Sequence, residues 1–137
     1  MENTHKNKTS AKAKEKNEAK PMNKRALGRQ FEELAAKYLE EKGYKILARG
    51  YRSRHGEIDL IAEDHGTIVF CEVKYRSGKT CGTPLEAVGR AKMANLIYTA
   101  RYYLYRNGFP EDQPCRFDVI GMTGGRLTHV KDAFQTS

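Results

Sequence analysis

The sequence predicts an α/β fold in which a central mixed sheet is flanked by helices on both faces. Three observations predict it. Two apolar stretches with strand character are separated by a His65-Gly66 pair, which suits the positive backbone angles of a tight hairpin turn. Both faces of this hairpin are mostly apolar, as in sheets covered on both sides. Helical patterns precede and follow the hairpin, so the element order is α-β-β-β-α-β with a small terminal strand.

The chain has 137 residues, a length that suits one domain with a substantial core. We expect residues 1–22 to form a disordered basic tail and residues 23–137 a single domain, because the tail holds many lysines and almost no apolar side chains. The formal net charge of +8 favours a polyanionic partner. The tail fits two interpretations, a non-specific nucleic-acid arm and an ordinary solvated extension.

The three cysteines are widely spaced and form no CxxC motif, so neither a disulfide framework nor a zinc site is predicted. No stretch approaches the roughly 18 apolar residues that a membrane span needs. The N-terminus lacks the apolar core of a signal peptide. We therefore expect a reduced, cytoplasmic protein without a membrane partner.

The first helix is predicted from about Lys24 to Lys42, where apolar residues recur at helical spacing and Gly43 supplies the stop. At about 100° per residue, Glu32 falls at the margin of the apolar stripe and Glu33 on the far side. If a carboxylate of this helix reaches the hairpin, it should be Glu32. The alternative is that both glutamates are solvated.

A short strand is predicted over residues 44–48, and the next few residues either continue it or form a loop. Arg52, Arg54 and His55 then precede the acidic hairpin, where a bound phosphate backbone would run. A solvated basic loop is the alternative for the arginines. His55 is a candidate general base, although an isolated loop histidine more often has no catalytic role.

The hairpin strands are predicted over residues 57–63 and 67–75. The tight turn sets a register in which Asp59 lies directly across from Glu72. Opposed residues of an antiparallel pair share a face, so we expect the two carboxylates to be neighbours.

The same register places Glu57 opposite Lys74, and it places Ile58 on the other face of the hairpin. Two carboxylates this close raise each other's pKa unless a cation lies between them. Lys74 supplies only one positive charge. A divalent metal ion would complete the group.

The segment 76–82 is basic and contains glycine, so it is either a loop that grips substrate or a plain connector. A capping-box pattern at Thr83 and Glu86 predicts a second helix that runs to about Asn107. Lys92 lies at the edge of the apolar side of this helix, where it either reaches the site or extends into water.

Two further strands are predicted over 116–122 and 126–130, with a Gly124-Gly125 turn between them and a tail from residue 131. Asp118 lies between two apolar residues of the first of these strands. We expect it to pair with a neighbouring arginine, and support of the site is the second option.

An aspartate on one strand followed by Glu72-Val73-Lys74 on the next resembles the PD-(D/E)xK nuclease superfamily, and the element order resembles its restriction-endonuclease-like core. More closely, GEIDLIA from residue 56, FCEVKYR from residue 70 and CRFDVIGMTG from residue 115 resemble the bacterial YraN family. That family is placed near the Holliday-junction resolvases. The resemblance covers about residues 24–134.

The resemblance implies metal-dependent hydrolysis of phosphodiester bonds in DNA, with branched or damaged DNA as candidate substrates and Mg²⁺ or Mn²⁺ as cofactor. A homodimer is also compatible with the resemblance. The implied catalytic residues are Asp59, Glu72 and Lys74. The implied metal ligands are Asp59, Glu72, Glu32 and the Val73 carbonyl. Two residues would support the site: Glu57, which would hold the Lys74 ammonium, and Lys92. The implied nucleic-acid contacts are Arg52, Arg54, Arg76 and Lys79.

Two other interpretations stay open on the sequence. One is a non-catalytic nucleic-acid-binding module on the same fold, which predicts salt-dependent binding that Asp59→Ala leaves unchanged. The other is an ordinary cross-strand charge ladder, against which the apolar neighbours on both strands argue.

Overall fold

The computed structural model describes residues 24–76 and 89–134, and every structural statement below concerns those ranges. The elements in chain order are helix α1 (Lys24–Glu41), strands β1 (Lys45–Ser53), β2 (Gly56–Asp64) and β3 (Thr67–Arg76), helix α2 (Arg90–Arg106), and strands β4 (Cys115–Thr123) and β5 (Arg126–Phe134). Two helices and a five-stranded mixed sheet confirm the predicted α/β class. The order is compatible with the restriction-endonuclease-like core.

Contacts divide the chain into two units, Met1–Gln30 and Phe31–Ser137. The described part of the first unit is residues 24–30, which are the opening turns of α1. The predicted tail over 1–22 lies outside the described residues, so its disorder and the domain boundary stay predictions. No helix in the described ranges is both long and apolar enough to cross a membrane.

The strands lie in the order β1-β2-β3-β4-β5 across the sheet. β3 and β4 run parallel, and the other neighbouring pairs run antiparallel. A parallel pair needs a crossover connection, and α2 lies in the connection between β3 and β4.

Each face of the sheet carries its own apolar cluster. One cluster joins α1 to the sheet and includes Leu39, Val69 and Cys71. The other joins α2 to the sheet and includes Phe70 and Leu96. Neighbours on β3 alternate between the two clusters, as expected for a strand buried on both sides. The hairpin is therefore central and covered on both faces, as predicted.

The turn of the hairpin has the predicted form. His65 and Gly66 have φ values of 51° and 86°, the positive angles of a two-residue hairpin turn. Asp64 pairs with Thr67, and the same register continues for five pairs in all, ending at Leu60 opposite Cys71. The predicted register is confirmed over this part of the hairpin.

Beyond Leu60 the hairpin opens. β2 continues to pair with β1 down to Gly56, but no β2–β3 pair is formed beyond Leu60 in the described residues. We call this opening the fork; it is bounded by residues 56–59 of β2 and 72–75 of β3. The predicted cross-strand pairs of Asp59 with Glu72 and of Glu57 with Lys74 are thus not part of the ladder.

At the fork, the side chains of β2 change the face of the sheet on which they lie. Ile58 packs in the α2-side cluster and Leu60 in the α1-side cluster, although strict alternation would place both on one face. The predicted placement of Ile58 is therefore wrong. Gly50 of β1 lies at this level with a φ of +57°, a left-handed conformation that glycine adopts readily. A kink in the β1–β2 ribbon explains the reversal.

The described helix α2 begins at Arg90, because Gly89 is its extended N-cap residue with φ −80° and ψ 175°. The predicted start at Thr83 lies outside the described residues and stays a prediction. One predicted strand end is corrected. β5 continues to Phe134 instead of ending at residue 130. Packing explains the extension, since the Phe134 ring stacks on Phe117 with centroids 4.9 Å apart.

Candidate metal and nucleic-acid site at the fork

Three carboxylates meet at the fork beside α1. Glu32 of α1 and Glu57 and Asp59 of β2 each place one oxygen within 4.8 Å of the others. The next residue of the helix, Glu33, forms an ion pair with Arg49 of β1. Helix phasing predicted this division of the two glutamates. Carboxylate oxygens gathered in this way are typical ligands of a hard divalent cation.

Glu57 has a different neighbourhood from the one predicted. The prediction placed it against Lys74, but its carboxylate lies 3.4 Å from the Arg52 guanidinium. Gly50 provides the room, because a Cβ there would lie 3.2 Å from Glu57 Oε2. Sequence analysis missed Gly50. The signal available was an isolated glycine within a strand pattern, which often marks a bulge or a close approach.

Glu72 lies beside α2 and is held by two lysines. Its Oε2 atom is 3.1 Å from the Lys74 ammonium and 3.3 Å from the Lys92 ammonium. Lys92 therefore reaches the site, which was the first of its two predicted alternatives. Glu72 is only 4% exposed. Its other oxygen, Oε1, is buried without a hydrogen-bond partner among the described residues.

Asp59 connects the two halves of the fork. Its Oδ2 atom accepts a hydrogen bond of 2.8 Å from the backbone N–H of Val73. Burial and then the charge of Glu72 raise the pKa of Asp59 to about 8, with Glu32 adding to the rise. The Val73 N–H and Lys92 oppose it. At neutral pH the ligand-free protein therefore holds Asp59 mainly in its protonated form.

The Val73 carbonyl is directed toward β2. The N–H and the C=O of one residue in an extended strand face the same side. Since the N–H of Val73 reaches Asp59, its carbonyl also faces the fork.

These groups fit a divalent cation. The donors are carboxylate oxygens within reach of one another, a carbonyl on the same side, and a buried carboxylate oxygen that has no hydrogen-bond partner within residues 24–76 and 89–134. The geometry changes the predicted ligand set in one respect: Glu57 joins Glu32 and Asp59, whereas one oxygen of Glu72 is taken by two lysines. The raised pKa of Asp59 is a consequence of these acidic neighbours and of burial.

The predicted nucleic-acid contacts are described in part. Arg52 and Arg54 line an open groove of about 490 Å³, together with Ser53, Tyr98 and Tyr102. His55 packs edge-on against Tyr98, with centroids 4.3 Å apart. For Arg76 the structure describes the backbone at the end of β3, and Lys79 lies outside the described ranges. Sequence analysis missed both tyrosines, although their spacing of four residues puts them on one helix face.

A second group of polar and ionisable side chains surrounds the buried Asp118 of β4. Its carboxylate accepts hydrogen bonds from Arg116 Nε at 3.0 Å and from the backbone N–H of Asp132 at 2.9 Å. His129 Nε2 lies 2.7 Å away and is the donor, because an ionised carboxylate only accepts. The Tyr38 hydroxyl lies 3.0 Å from His129 Nδ1. The predicted pairing of Asp118 with an arginine is confirmed.

Comparison with known proteins agrees with the sequence motifs. The profile of the Uncharacterised protein family UPF0102 matches residues 31–122, a range that holds all the carboxylates and lysines of the fork. A UPF0102 protein of Lachnoclostridium phytofermentans is 49% identical over 113 residues, covering 82% of this chain and 96% of that protein. A UPF0102 protein of Nitrosococcus oceani is 42% identical over 120 residues, covering 85% and 97%. One of Symbiobacterium thermophilum is 50% identical over 115 residues, covering 80% and 97%. The chain belongs to the UPF0102 family, which is the YraN family that its motifs resemble.

Proposed function

We propose that this protein is a metal-dependent endonuclease that hydrolyses phosphodiester bonds in DNA, with Mg²⁺ or Mn²⁺ as cofactor. The observation that carries the proposal is the meeting of Asp59, Glu72 and Lys74 at the fork, where the ladder between β2 and β3 opens. An ordinary charge ladder does not account for this group, because Glu72 is buried and one of its oxygens has no hydrogen-bond partner in the described ranges.

Glu32, Glu57 and Asp59 would hold the divalent ion, and the Val73 carbonyl offers a further oxygen. A bound ion of this kind lowers the pKa of a water molecule and polarises a phosphoryl oxygen. The protein supplies acidic ligands that repel one another when no cation lies among them. That repulsion, added to burial, favours binding of a cation at this place.

The lysines supply positive charge on the α2 side of the fork. Glu72 holds Lys74 and Lys92 by the same oxygen and so fixes the position of both ammonium groups. In phosphodiester hydrolysis, negative charge develops on the phosphoryl oxygens in the transition state, and fixed cations stabilise it. Lys74 would act in this electrostatic role, with Glu72 as its positioning residue.

The charge of the chain supports a nucleic-acid substrate. The formal net charge is +8, and two arginines are exposed next to the start of β2: Arg52 near the end of β1 and Arg54 on the β1–β2 turn. Contacts between these arginines and DNA phosphates would release counterions, so DNA binding should weaken steeply as the salt concentration rises.

The test is cleavage of labelled duplex, single-stranded and branched DNA in Mg²⁺ or Mn²⁺. We expect Asp59→Asn and Lys74→Met to reduce the rate by roughly 100-fold or more, the scale for loss of one group that stabilises the transition state. Glu33→Gln is the matched control, because Glu33 adjoins Glu32 but pairs with Arg49. If the wild type and Asp59→Asn are equally inert on all substrates, the proposal is wrong.

A second candidate is a module that binds nucleic acid without cutting it. The ion pairs of Glu72 favour it, because two lysines occupy an oxygen that a metal ion would otherwise use. Salt-dependent DNA binding that Asp59→Asn leaves unchanged, without cleavage by the wild type, would support this candidate.

A further inference from the structure

We infer that the groove between the β1–β2 turn and the outer face of α2 binds an unpaired segment of nucleic acid by stacking its bases on Tyr98 and Tyr102. We call it the tyrosine groove; its lining is Arg52, Ser53, Arg54, Tyr98 and Tyr102, and its volume is about 490 Å³. The inference rests on the proposed function in one respect, since it names the form of the substrate that reaches the fork.

The two tyrosines present aromatic surface to solvent. Tyr98 is 40% exposed and Tyr102 is 36% exposed. They lie one helical turn apart, about 6 Å along the axis of α2. Nucleobases of single strands stack on aromatic side chains arranged in this way, whatever their sequence.

Both rings contact other aromatic side chains. His55 meets the Tyr98 ring edge-on with centroids 4.3 Å apart, and Tyr51 lies tilted beside Tyr102 at 6.4 Å. Contacts of this kind limit the motion of each ring before a ligand arrives. Less conformational entropy is then lost when a base stacks on it.

The charge around the groove selects a polyanion. α2 carries four basic residues and no acidic residue along its 17 positions. On the opposite wall the Arg52 side chain is 73% exposed. On α2 itself, one turn after Tyr102, the Arg106 guanidinium lies over the Tyr102 ring, 5.7 Å from its centre. Aromatic rings among arginines match alternating bases and phosphates better than they match an apolar protein surface.

The lining of the tyrosine groove contacts the fork at one residue, Arg52. Arg52 lies 3.4 Å from Glu57, which belongs to the carboxylate group. The Ser53 hydroxyl lies 2.7 Å from that of Thr99, so the β1–β2 turn is fixed to α2. A strand with one phosphate at the fork would continue into the groove. In a duplex the bases are stacked on one another and do not reach the tyrosines, so the groove favours unpaired nucleotides.

The test is binding of a labelled oligothymidine and of a duplex of equal length, measured by fluorescence anisotropy in EDTA. We expect Tyr98→Ala and Tyr102→Ala each to weaken single-strand binding roughly tenfold, whereas Tyr98→Phe and Tyr102→Phe retain it. Duplex binding should change by less than about twofold. Tyr105→Ala is the matched control, because Tyr105 lies on the same helix, is 81% exposed and is outside the groove lining.

Unchanged single-strand binding in both alanine variants would overturn the inference, as would an equal loss in Tyr105→Ala or an equal loss for duplex. If the alanine variants instead dissociate a wild-type dimer without weakening oligonucleotide binding, the groove is a self-association surface and the inference is wrong. The assay in EDTA is independent of cleavage. Tyrosine-dependent binding by a protein that never cleaves would therefore sustain this inference and reject only the nuclease.

Discussion

Asp59 and Asp118 are two aspartates of the same sheet with opposite electrostatic surroundings. Burial raises the pKa of both, but around Asp118 the hydrogen bonds from His129, Asp132 and Arg116 outweigh burial and bring its pKa below the usual value. Around Asp59, burial and the charges of Glu72 and Glu32 outweigh a single hydrogen bond from Val73, and its pKa rises to about 8.

The difference is the one expected between a structural group and the functional site that we propose at the fork. Among the described residues, Arg116, His129 and the Asp132 N–H all donate to the Asp118 carboxylate, the arrangement of a satisfied structural network. The fork gathers several acidic groups and leaves Glu72 Oε1 without a hydrogen-bond partner among the described residues. Perturbed and unsatisfied groups of this kind are concentrated at functional sites.

The largest expected change in stability comes from substitution of Asp118. Asp118→Asn should lower the free energy of unfolding by about 3 kcal/mol at neutral pH, because it leaves the partly buried Arg116 and His129 side chains beside a neutral group in place of their carboxylate partner. Since the folded pKa is lowered, the contribution of Asp118 is present above its unfolded pKa and is lost as the pH falls through the folded value. Urea denaturation at several pH values measures it.

The exposed Asp112→Asn serves as the control for that experiment, with an expected change within about 0.5 kcal/mol. A loss below about 1 kcal/mol for Asp118→Asn would contradict the structural role of this group.

Substitution of Asp59 at the fork should change the stability in the opposite direction. Asp59→Asn should raise the free energy of unfolding by about 2 kcal/mol at pH 8 without metal, because it removes a carboxylate that is costly to ionise. The folded pKa is raised, so the wild type loses stability as the pH rises from the unfolded pKa toward about 8. Thermal unfolding across this range should show a flatter pH profile for the variant. Equal or lower stability of Asp59→Asn throughout would be the contrary result.

Gly50 tests whether the fork depends on the kink in β1. Gly50→Ala should destabilise the fold by about 1–2 kcal/mol, because an alanine is strained at a φ of +57°. Its Cβ would also displace the Glu57 carboxylate, 3.2 Å away, and so weaken metal binding. Gly28→Ala is the control, since Gly28 lies within α1 with open space around it and should gain stability slightly. Unchanged stability and metal affinity in Gly50→Ala would show that Gly50 supports neither the fold nor the metal site.

Metal affinity should depend on pH. Below about 8 the ion must displace the proton of Asp59, so the affinity for Mg²⁺ should fall about tenfold per pH unit, equivalent to about 1.4 kcal/mol. Above that pH it should level off. Calorimetry in buffers with different ionisation enthalpies measures both the affinity and the proton released. Affinity that is constant with pH, with no proton release, would contradict the assignment of Asp59.

Local sequence patterns predicted much of the fold and part of the candidate site. The His65-Gly66 turn determines the hairpin register as far as Leu60, because a two-residue loop leaves little choice of pairing. Helix periodicity likewise separated Glu32 from Glu33. Both are decided by residues close together in the chain.

The rest depends on contacts between distant residues. The facing of Ile58 is set by a kink on the neighbouring strand, which the hairpin itself does not encode. The length of β5 is set by packing of Phe134 on Phe117 of β4. The reach of Lys92 to Glu72 depends on where α2 begins and how it lies on the sheet. Alternation and capping patterns carry no information about these contacts.

The most direct test of the central claim is Mn²⁺ binding, followed by the electron paramagnetic resonance signal of the free ion. Glu32 and Glu33 are adjacent glutamates of one helix with different surroundings, so Glu32→Gln and Glu33→Gln form a matched pair. We predict saturable binding to the wild type and to Glu33→Gln, and its loss in Glu32→Gln and Asp59→Asn. Equal binding by all four proteins, or no binding by the wild type, would contradict the claim that the fork is a metal site.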